Sequence, residues 1–149
     1  MTRGVFLLTA DNTFDTPMAV WRRVMGVLCG RYPAWRLDSF DCIDEKTDPE
    51  GAYTSWEFMQ WLGGEHRIFF ARAFGYAGKA ANEEIADYAG YQRAACRCAA
   101  LCVDEAYLEV YCKDEDVLQA LHGDAELRAL CETVEYIADE NDGRTTFLI

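Results

Sequence analysis

The stretch that decides the fold is residues 96–112, CRCAALCVDEAYLEVYC. Its side chains alternate between two faces on both sides of the turn at Asp104-Glu105, and an alternation of this kind is typical of β-strands. We therefore expect an antiparallel hairpin in which Cys96 to Val103 pairs with Ala106 to Cys112. In the second strand, Leu108 and its alternate neighbours face one way and Glu109 with the tyrosines faces the other. One sheet face should be covered and the other partly wet.

Two short helices and a second hairpin are predicted after this one. Asp114 and Asp124 stand where helix N-caps are expected, and Gly123 separates the two helices. Strands over Thr133 to Ala138 and Arg144 to Ile149 should then flank a polar loop, residues 139–143, in which Asp-Gly supplies the positive-φ position.

Before the hairpin, a strand from Gly4 to Ala10 is apolar enough to be buried on both faces. A helix capped by Thr16 should follow it and end at Gly30, because apolar residues recur there at helical spacing. A second strand is expected over Trp35 to Ile43, and it leads into a polar loop over residues 44–51.

A third region completes the prediction. Thr54 and Glu57 form a capping box that begins a helix ending at Leu62. His66 to Phe74 is expected to be a strand, and a helix capped by Asn82 should run from Glu83 to Gln92.

The predicted order is β-α-β-α-β-α-β-β-α-α-β-β, in which paired strands are interrupted by helices. This order predicts the α+β class, with a mainly antiparallel but mixed sheet and several helices packed on it. At 149 residues, the chain has the length of one domain spanning residues 1–149.

The composition is that of a packed globule, with 51% apolar and 13% aromatic residues. The apolar run from Gly4 to Ala10 is too short for a signal peptide or a membrane span. We therefore expect a cytoplasmic protein that does not enter a membrane.

Charge is distributed unevenly along the chain, whose net charge is −12. Residues 101–149 carry 3 basic and 13 acidic side chains, whereas residues 1–100 carry 11 and 13. This acidity argues against nucleic acid and anionic membranes as partners and favours a basic protein partner. The alternative is that these acidic residues form a solvated surface without a partner. Acidic side chains in the first turn of a helix interact favourably with the helix dipole, which would explain several of them.

Neither a metal nor a cofactor is expected. Cys96, Cys98 and Cys102 should share one strand face, where alternate residues lie about 7 Å apart and cannot converge on one ion without a bend. The seven cysteines are an odd number in a chain without an export signal, so we expect buried free thiols.

The sequence from Asp139 to Gly143 is one residue short of a calcium loop. No recognisable catalytic motif is present.

The candidate site residues all lie in the acidic last third of the chain. Glu109 and Glu135 are expected on outward strand faces, where their carboxylates would repel each other if the two strands were neighbours. The densest polar group is the predicted hairpin loop. The candidate partner- or ligand-binding residues are Glu109, Glu135, Asp139, Glu140, Asn141, Asp142 and Arg144.

Two functions fit these residues. The first is a non-enzymatic interaction or regulatory protein that binds a basic protein surface. The alternative is a small-molecule-binding protein or enzyme with an aromatic-lined pocket, in which a carboxylate such as Glu109 or Asp139 acts as acid or base. A deep aromatic cleft would favour the second function and a flat acidic face the first. A homodimer formed through an exposed strand edge is compatible with either.

Two segments, YLEVYCKD at Tyr107 to Asp114 and VEYIADENDGRT at Val134 to Thr145, carry a resemblance to a known family. Together with Arg3-Gly4 near the start, they resemble a family of small bacterial proteins, the domain of unknown function 2691. The resemblance implies an intact domain in a bacterial cytoplasm. It supplies no activity, cofactor or catalytic residue.

Overall fold

The computed structural model describes residues 2–11, 13, 15–42, 50–138 and 146–148. These ranges contain one seven-stranded sheet and five helices. The strands are β1 (Thr2–Thr9), β2 (Ala34–Cys42), β3 (Gly51–Thr54), β4 (Ile68–Tyr76), β5 (Cys98–Val103), β6 (Tyr107–Cys112) and β7 (Cys131–Ala138). The helices are α1 (Asp15–Cys29), α2 (Ser55–Leu62), α3 (Tyr88–Arg93), α4 (Glu115–His122) and α5 (Ala125–Leu130).

The strand order is β3-β2-β4-β5-β6-β1-β7, and each neighbouring pair is antiparallel. The predicted α+β class is confirmed. The prediction of a mixed sheet is wrong for the described strands. β1 comes to lie between β6 and β7, which the chain reaches only after more than a hundred residues.

Helices α1, α2, α4 and α5 pack on one face of the sheet. The apolar spacing of α1 places Met18, Trp21, Val24, Met25 and Leu28 in this core. The predicted capping box of α2 is present, because Thr54 and Glu57 exchange side-chain and backbone hydrogen bonds. Because none of the described helices is both long and apolar enough, none could cross a membrane.

Within the described ranges, the second face of the sheet is covered at one end and open at the other. At the covered end, α3 and residues 146–148 lie over a cluster that contains Tyr91, Tyr111 and Phe147, with the Tyr111 and Phe147 rings 4.8 Å apart. Arg72 fastens this cover, since its Nη1 donates hydrogen bonds to the carbonyl oxygens of Ile85 and Phe147. The other end of this face carries no described helix.

Two strand predictions need correction. β1 was expected to be buried on both faces, but Phe6 and Leu8 are only half-buried because the second face is open beneath them. The strand β3 lies where the sequence predicted a polar loop followed directly by a helix. It is a four-residue edge strand with mostly exposed side chains, so it lacks the apolar alternation that indicates a strand.

Two predictions near α3 and the C-terminus also fail. The helix begins at Tyr88 instead of Glu83, and Asp87 instead of Asn82 caps it by accepting a hydrogen bond from the Gly90 amide at 2.6 Å. The predicted last strand is reduced, within residues 146–148, to a single bridge between Thr146 and Asp87. In both places, contacts that α3 and residues 146–148 make with the rest of the fold replace the helix start or strand that the sequence predicted.

The close approach of β1 and β6 at Gly4 gives a first prediction. A Cβ at this position would lie 2.3 Å from the backbone carbonyl oxygen of Val110. Strands pair with β1 on both sides, so it cannot move away. We expect Gly4→Ala to lower the free energy of unfolding by about 1–3 kcal/mol in urea titrations.

Gly26 in α1 is the matched control, since a Cβ there would meet no atom within 4 Å. Gly26→Ala is expected to raise stability by about 0.5–1 kcal/mol, because glycine is unfavourable within a helix. Equal stability of Gly4→Ala and the unsubstituted protein would contradict the pairing of β1 with β6.

Candidate functional site

Glu109 and Glu135 both lie on the open end of the second sheet face. The register places Glu109 on β6 opposite Phe6 of β1, and places Glu135 on β7 opposite the same residue. The two strands are therefore not neighbours, as β1 separates them. Strands two apart are about 9–10 Å from each other, so the direct cross-strand repulsion considered from the sequence does not arise.

An apolar row lies beside these carboxylates. Leu8 of β1 is opposite Tyr107 on one side and Thr133 on the other. The Phe6 and Tyr107 rings lie 6.1 Å apart, and Tyr107 is 43% exposed. We call this surface the acidic face. It consists of Phe6, Leu8, Tyr107, Glu109, Thr133 and Glu135.

Glu109 is fixed at the boundary between the acidic face and the covered end of the sheet. The hydroxyl of Tyr111, which belongs to the buried aromatic cluster, donates a hydrogen bond to Glu109 Oε2 at 2.7 Å. Glu135 on the far side is exposed. The face therefore presents one carboxylate held by a hydrogen bond and one exposed carboxylate, on either side of the Phe6 ring.

An acidic cavity of about 370 Å³ adjoins the acidic face and shares Leu8 and Tyr107 with it. Asp11, Asp104 and Glu132 contribute carboxylates to its wall. Hydrogen bonds from Thr13, the side-chain hydroxyl first, hold the pKa of Asp11 below its ordinary value. An ionised carboxylate at this cavity suits a cationic group rather than an anion.

Thr9 also lines the acidic cavity. It is 5% exposed, and its Oγ1 has no hydrogen-bond partner within the described part of the chain. A buried hydroxyl without a partner costs free energy.

Ion pairs between the first hundred residues and the last third of the chain partly neutralise the uneven charge of the sequence. Arginines from the first hundred residues contact carboxylates of the last third, and each of these carboxylates lies on a helix, at a helix start or in the β5–β6 turn. The pairs are Arg23–Asp124 (2.5 Å), Arg31–Asp116 (2.6 Å), Arg97–Asp114 (2.7 Å) and Arg67 Nη2–Glu105 Oε1 (2.9 Å).

These ion pairs leave the acidic surface concentrated on β7 and the neighbouring strand ends. Among the described residues, no lysine or arginine forms an ion pair with Glu132 or Glu135. Of the helix carboxylates, Asp116, Asp124 and Glu126 are paired with arginines, and Glu115 lies in the first turn of α4, where an acidic side chain favours the helix dipole. The candidate binding surface is therefore the sheet end and not the acidic helices.

The other predicted site residues, Asp139, Glu140, Asn141, Asp142 and Arg144, lie outside the described residues. The structure therefore brings together two of the predicted site residues, Glu109 and Glu135. The sequence analysis missed Asp11 and Asp104, although each directly follows a predicted strand.

A second cavity, of about 290 Å³, has the aromatic character that the alternative function requires. Tyr88 and Tyr91 line it together with Cys112, Lys113 and Glu115. Glu109, the carboxylate proposed as acid or base, is not part of its wall.

The nearby Asp114 does not fill that role. Arg97 is the main cause of a lowered Asp114 pKa. A carboxylate with a lowered pKa is ionised at neutral pH and is a weak base, so it is unsuited to general acid catalysis there.

The cysteines show no metal-binding arrangement. Within the described ranges, no group of three or more histidine, cysteine or acidic side chains could hold an ion. All seven cysteines are free thiols. The expectation that Cys96, Cys98 and Cys102 share a strand face is wrong: β5 begins at Cys98, and Cys96 packs in the cluster on the opposite side of the sheet.

Comparison with known proteins gives a family and a relative. The profile of the family described as "Protein of unknown function (DUF2691)" matches residues 44–148. The chain is similar to "Uncharacterized protein YncE" of Bacillus subtilis (strain 168), with 27% identity over 141 residues. That alignment covers 87% of this chain and 90% of the relative. No solved structure matches.

Proposed function

The chain belongs to the DUF2691 family of proteins of unknown function, and we propose that it is a non-enzymatic interaction protein whose acidic face binds a basic protein surface. One observation carries the proposal: Glu109 and Glu135 flank the half-buried ring of Phe6 at the end of the sheet on which no described helix lies. Aromatic side chains at the centre of a charged surface are typical of protein interfaces.

The partner's chemistry follows from the surface. Phe6, Leu8 and Tyr107 offer apolar area, and the carboxylates around them require lysine or arginine side chains on the partner. One cationic side chain could enter the acidic cavity between Asp11 and Asp104. The proposed partner is therefore a basic surface with apolar side chains between its cations.

A second copy of this chain does not suit the acidic face. Each copy carries a net charge of −12, so two acidic faces brought together would repel. A homodimer through a strand edge elsewhere does not conflict with this. The proposed setting is the bacterial cytoplasm, where thiols stay reduced, and the free thiols of the chain support it.

The test is a charge reversal on the face. We expect Glu109→Lys with Glu135→Lys to weaken binding of the partner about tenfold or more, because two attractive contacts become repulsive. The tagged protein is used to capture partners from native lysate. Each captured protein is then purified and its dissociation constant measured at low and high salt.

Glu65→Lys with Glu84→Lys is the matched control, since both side chains are exposed and neither belongs to the acidic face. It changes the net charge equally and is expected to change the dissociation constant by less than about twofold. Equal losses in the two double variants would show only a general charge effect. That result, or capture of no protein, would overturn the proposal.

A further inference from the structure

Cys98 and Cys112 face each other directly across the β5–β6 hairpin. Lys113 donates its amide hydrogen to the Arg97 carbonyl at 2.9 Å, and the Arg97 amide donates to the Gly75 carbonyl of β4 at 2.7 Å, so one hydrogen bond between the two strands lies directly beside the Cys98–Cys112 pair. In an antiparallel ladder the next pair, Cys98 with Cys112, is then of the non-hydrogen-bonded type. Side chains lie closest in that type of pair.

The backbone geometry of this pair matches that of bridged cysteines, and a bridge requires the Cys98 sulfur to rotate from its position beside Gly75 of β4 towards Cys112. Cα atoms of a non-hydrogen-bonded pair are about 4.5 Å apart, within the range of about 4.4–6.8 Å found for bridged cysteines. Both residues belong to the core between the sheet and helices α1, α2, α4 and α5, which we call the helix-side core. Both side chains therefore leave the sheet on the same face. A bridge between them needs no change of register.

Cys112 lies in a group of polar side chains that reaches the protein surface. The Tyr32 hydroxyl donates a hydrogen bond to Asp114 Oδ2 at 2.5 Å. The Cys112 Sγ is 3.0 Å from the same hydroxyl oxygen, so the two groups are within hydrogen-bonding distance. Tyr32 therefore links Cys112 to Asp114, whose side chain is 21% exposed.

The two thiols differ in how an oxidant would reach them. Burial raises the pKa of both, and Cys98 is fully enclosed whereas Cys112 retains 5% exposure. Contacts with Tyr32, the Asp114 amide and Arg97 counteract this effect at Cys112. Cys112 is the thiol that reacts first.

We propose that Cys98 and Cys112 are a redox-active pair that closes to a cross-strand disulfide. With a low-molecular-weight disulfide as oxidant, the Cys112 thiolate attacks one sulfur and releases one small thiolate. The Cys98 thiolate then attacks the Cys112 sulfur of the mixed disulfide and releases the second. The two cysteine protons end on the two small thiols, so the protein is oxidised by two electrons and the reagent reduced by two.

The test is oxidation of the folded protein with oxidised glutathione, followed by alkylation of remaining thiols and mass mapping. Trypsin leaves residues 98–113 on one peptide, and cleavage after Glu105 and Glu109 separates the two strands. We expect a loss of two hydrogens, with the two strand fragments joined through Cys112. The Cys102→Ala background removes the other cysteine on the β5 fragment.

Cys112→Ser should abolish the bridge, and Cys131→Ser, on β7, should leave its rate unchanged. Tyr32→Phe is expected to slow oxidation about tenfold at the same pH while the circular dichroism spectrum is kept, because the thiolate loses one hydrogen bond. A glutathione adduct that never resolves, or a bridge between other cysteines, would overturn the proposal. Alkylation of all six cysteines of the Cys102→Ala variant after oxidation would also overturn it.

Discussion

Trp21→Ala is expected to lower the free energy of unfolding by about 3–5 kcal/mol, the largest effect of any single truncation on α1. Trp21 is 2% exposed and is one of the largest fully buried side chains. Its removal would leave a cavity between α1 and the sheet that the surrounding helices can fill only in part. The value is measured by urea unfolding at constant pH.

Trp56→Ala is the matched control, as it removes the same side chain from a surface position that is 71% exposed. We expect a change within about 0.5 kcal/mol. If the two substitutions had the same effect, the inner face of α1 would be assigned wrongly. Side chains on another face of α1 would then have to fill the helix-side core.

Trp21 could be predicted because its signal is local. Apolar residues recur at helical spacing from Met18 to Leu28, and a helix with that pattern buries the same side whatever it packs against. The caps at Thr54 and Asp124 are local signals as well, and both are observed. The caps predicted at Thr16 and Asn82 rest on equally local signals but are wrong, because α1 already begins at Asp15 and α3 begins only at Tyr88.

Asp114 shows where a local signal was incomplete. It occupies the N-cap position of α4, as predicted, but its side chain makes no capping hydrogen bond. Its carboxylate instead accepts hydrogen bonds from Tyr32 and Arg97, which are distant in sequence. No pattern within the helix could have indicated those partners.

The candidate site depended on strand order, which the sequence does not contain. Alternation along β6 and β7 correctly predicted outward positions for Glu109 and Glu135. The insertion of β1 between these strands decides their spacing and places Phe6 between the two carboxylates. Asp11 and Asp104 meet at one cavity for the same reason, although each looks like an ordinary turn residue.

The second large effect is expected at Arg72, where Arg72→Ala should lower the free energy of unfolding by about 3–5 kcal/mol. Arg72 is 8% exposed and pairs with Asp38 through two hydrogen bonds, Nε to Oδ1 at 2.5 Å and Nη2 to Oδ2 at 2.9 Å. Among the described residues, truncation leaves the Asp38 carboxylate with the Arg36 contact at 2.6 Å as its one ion pair. It also removes the donor that serves Ile85 and Phe147.

Arg93→Ala is the control for charge and truncation, because Arg93 is an exposed residue of α3. Its expected change is within about 0.5 kcal/mol. A similarly small change at Arg72 would mean that its guanidinium contributes no more to the free energy of unfolding than that of an exposed arginine. The cover would then be held by its aromatic contacts alone.

A double-mutant cycle separates the ion pair from the anchoring of the cover. The double variant Asp38→Asn with Arg72→Met should lose about 0.5–3 kcal/mol less free energy of unfolding than the sum of the two single variants. The reason is that either single change leaves the other side chain of the pair charged and without its partner. The hydrogen bonds to Ile85 and Phe147 are lost in both variants that lack Arg72. Faster amide exchange of α3 in those two variants, and not in Asp38→Asn, is therefore expected if Arg72 fastens the cover to the sheet.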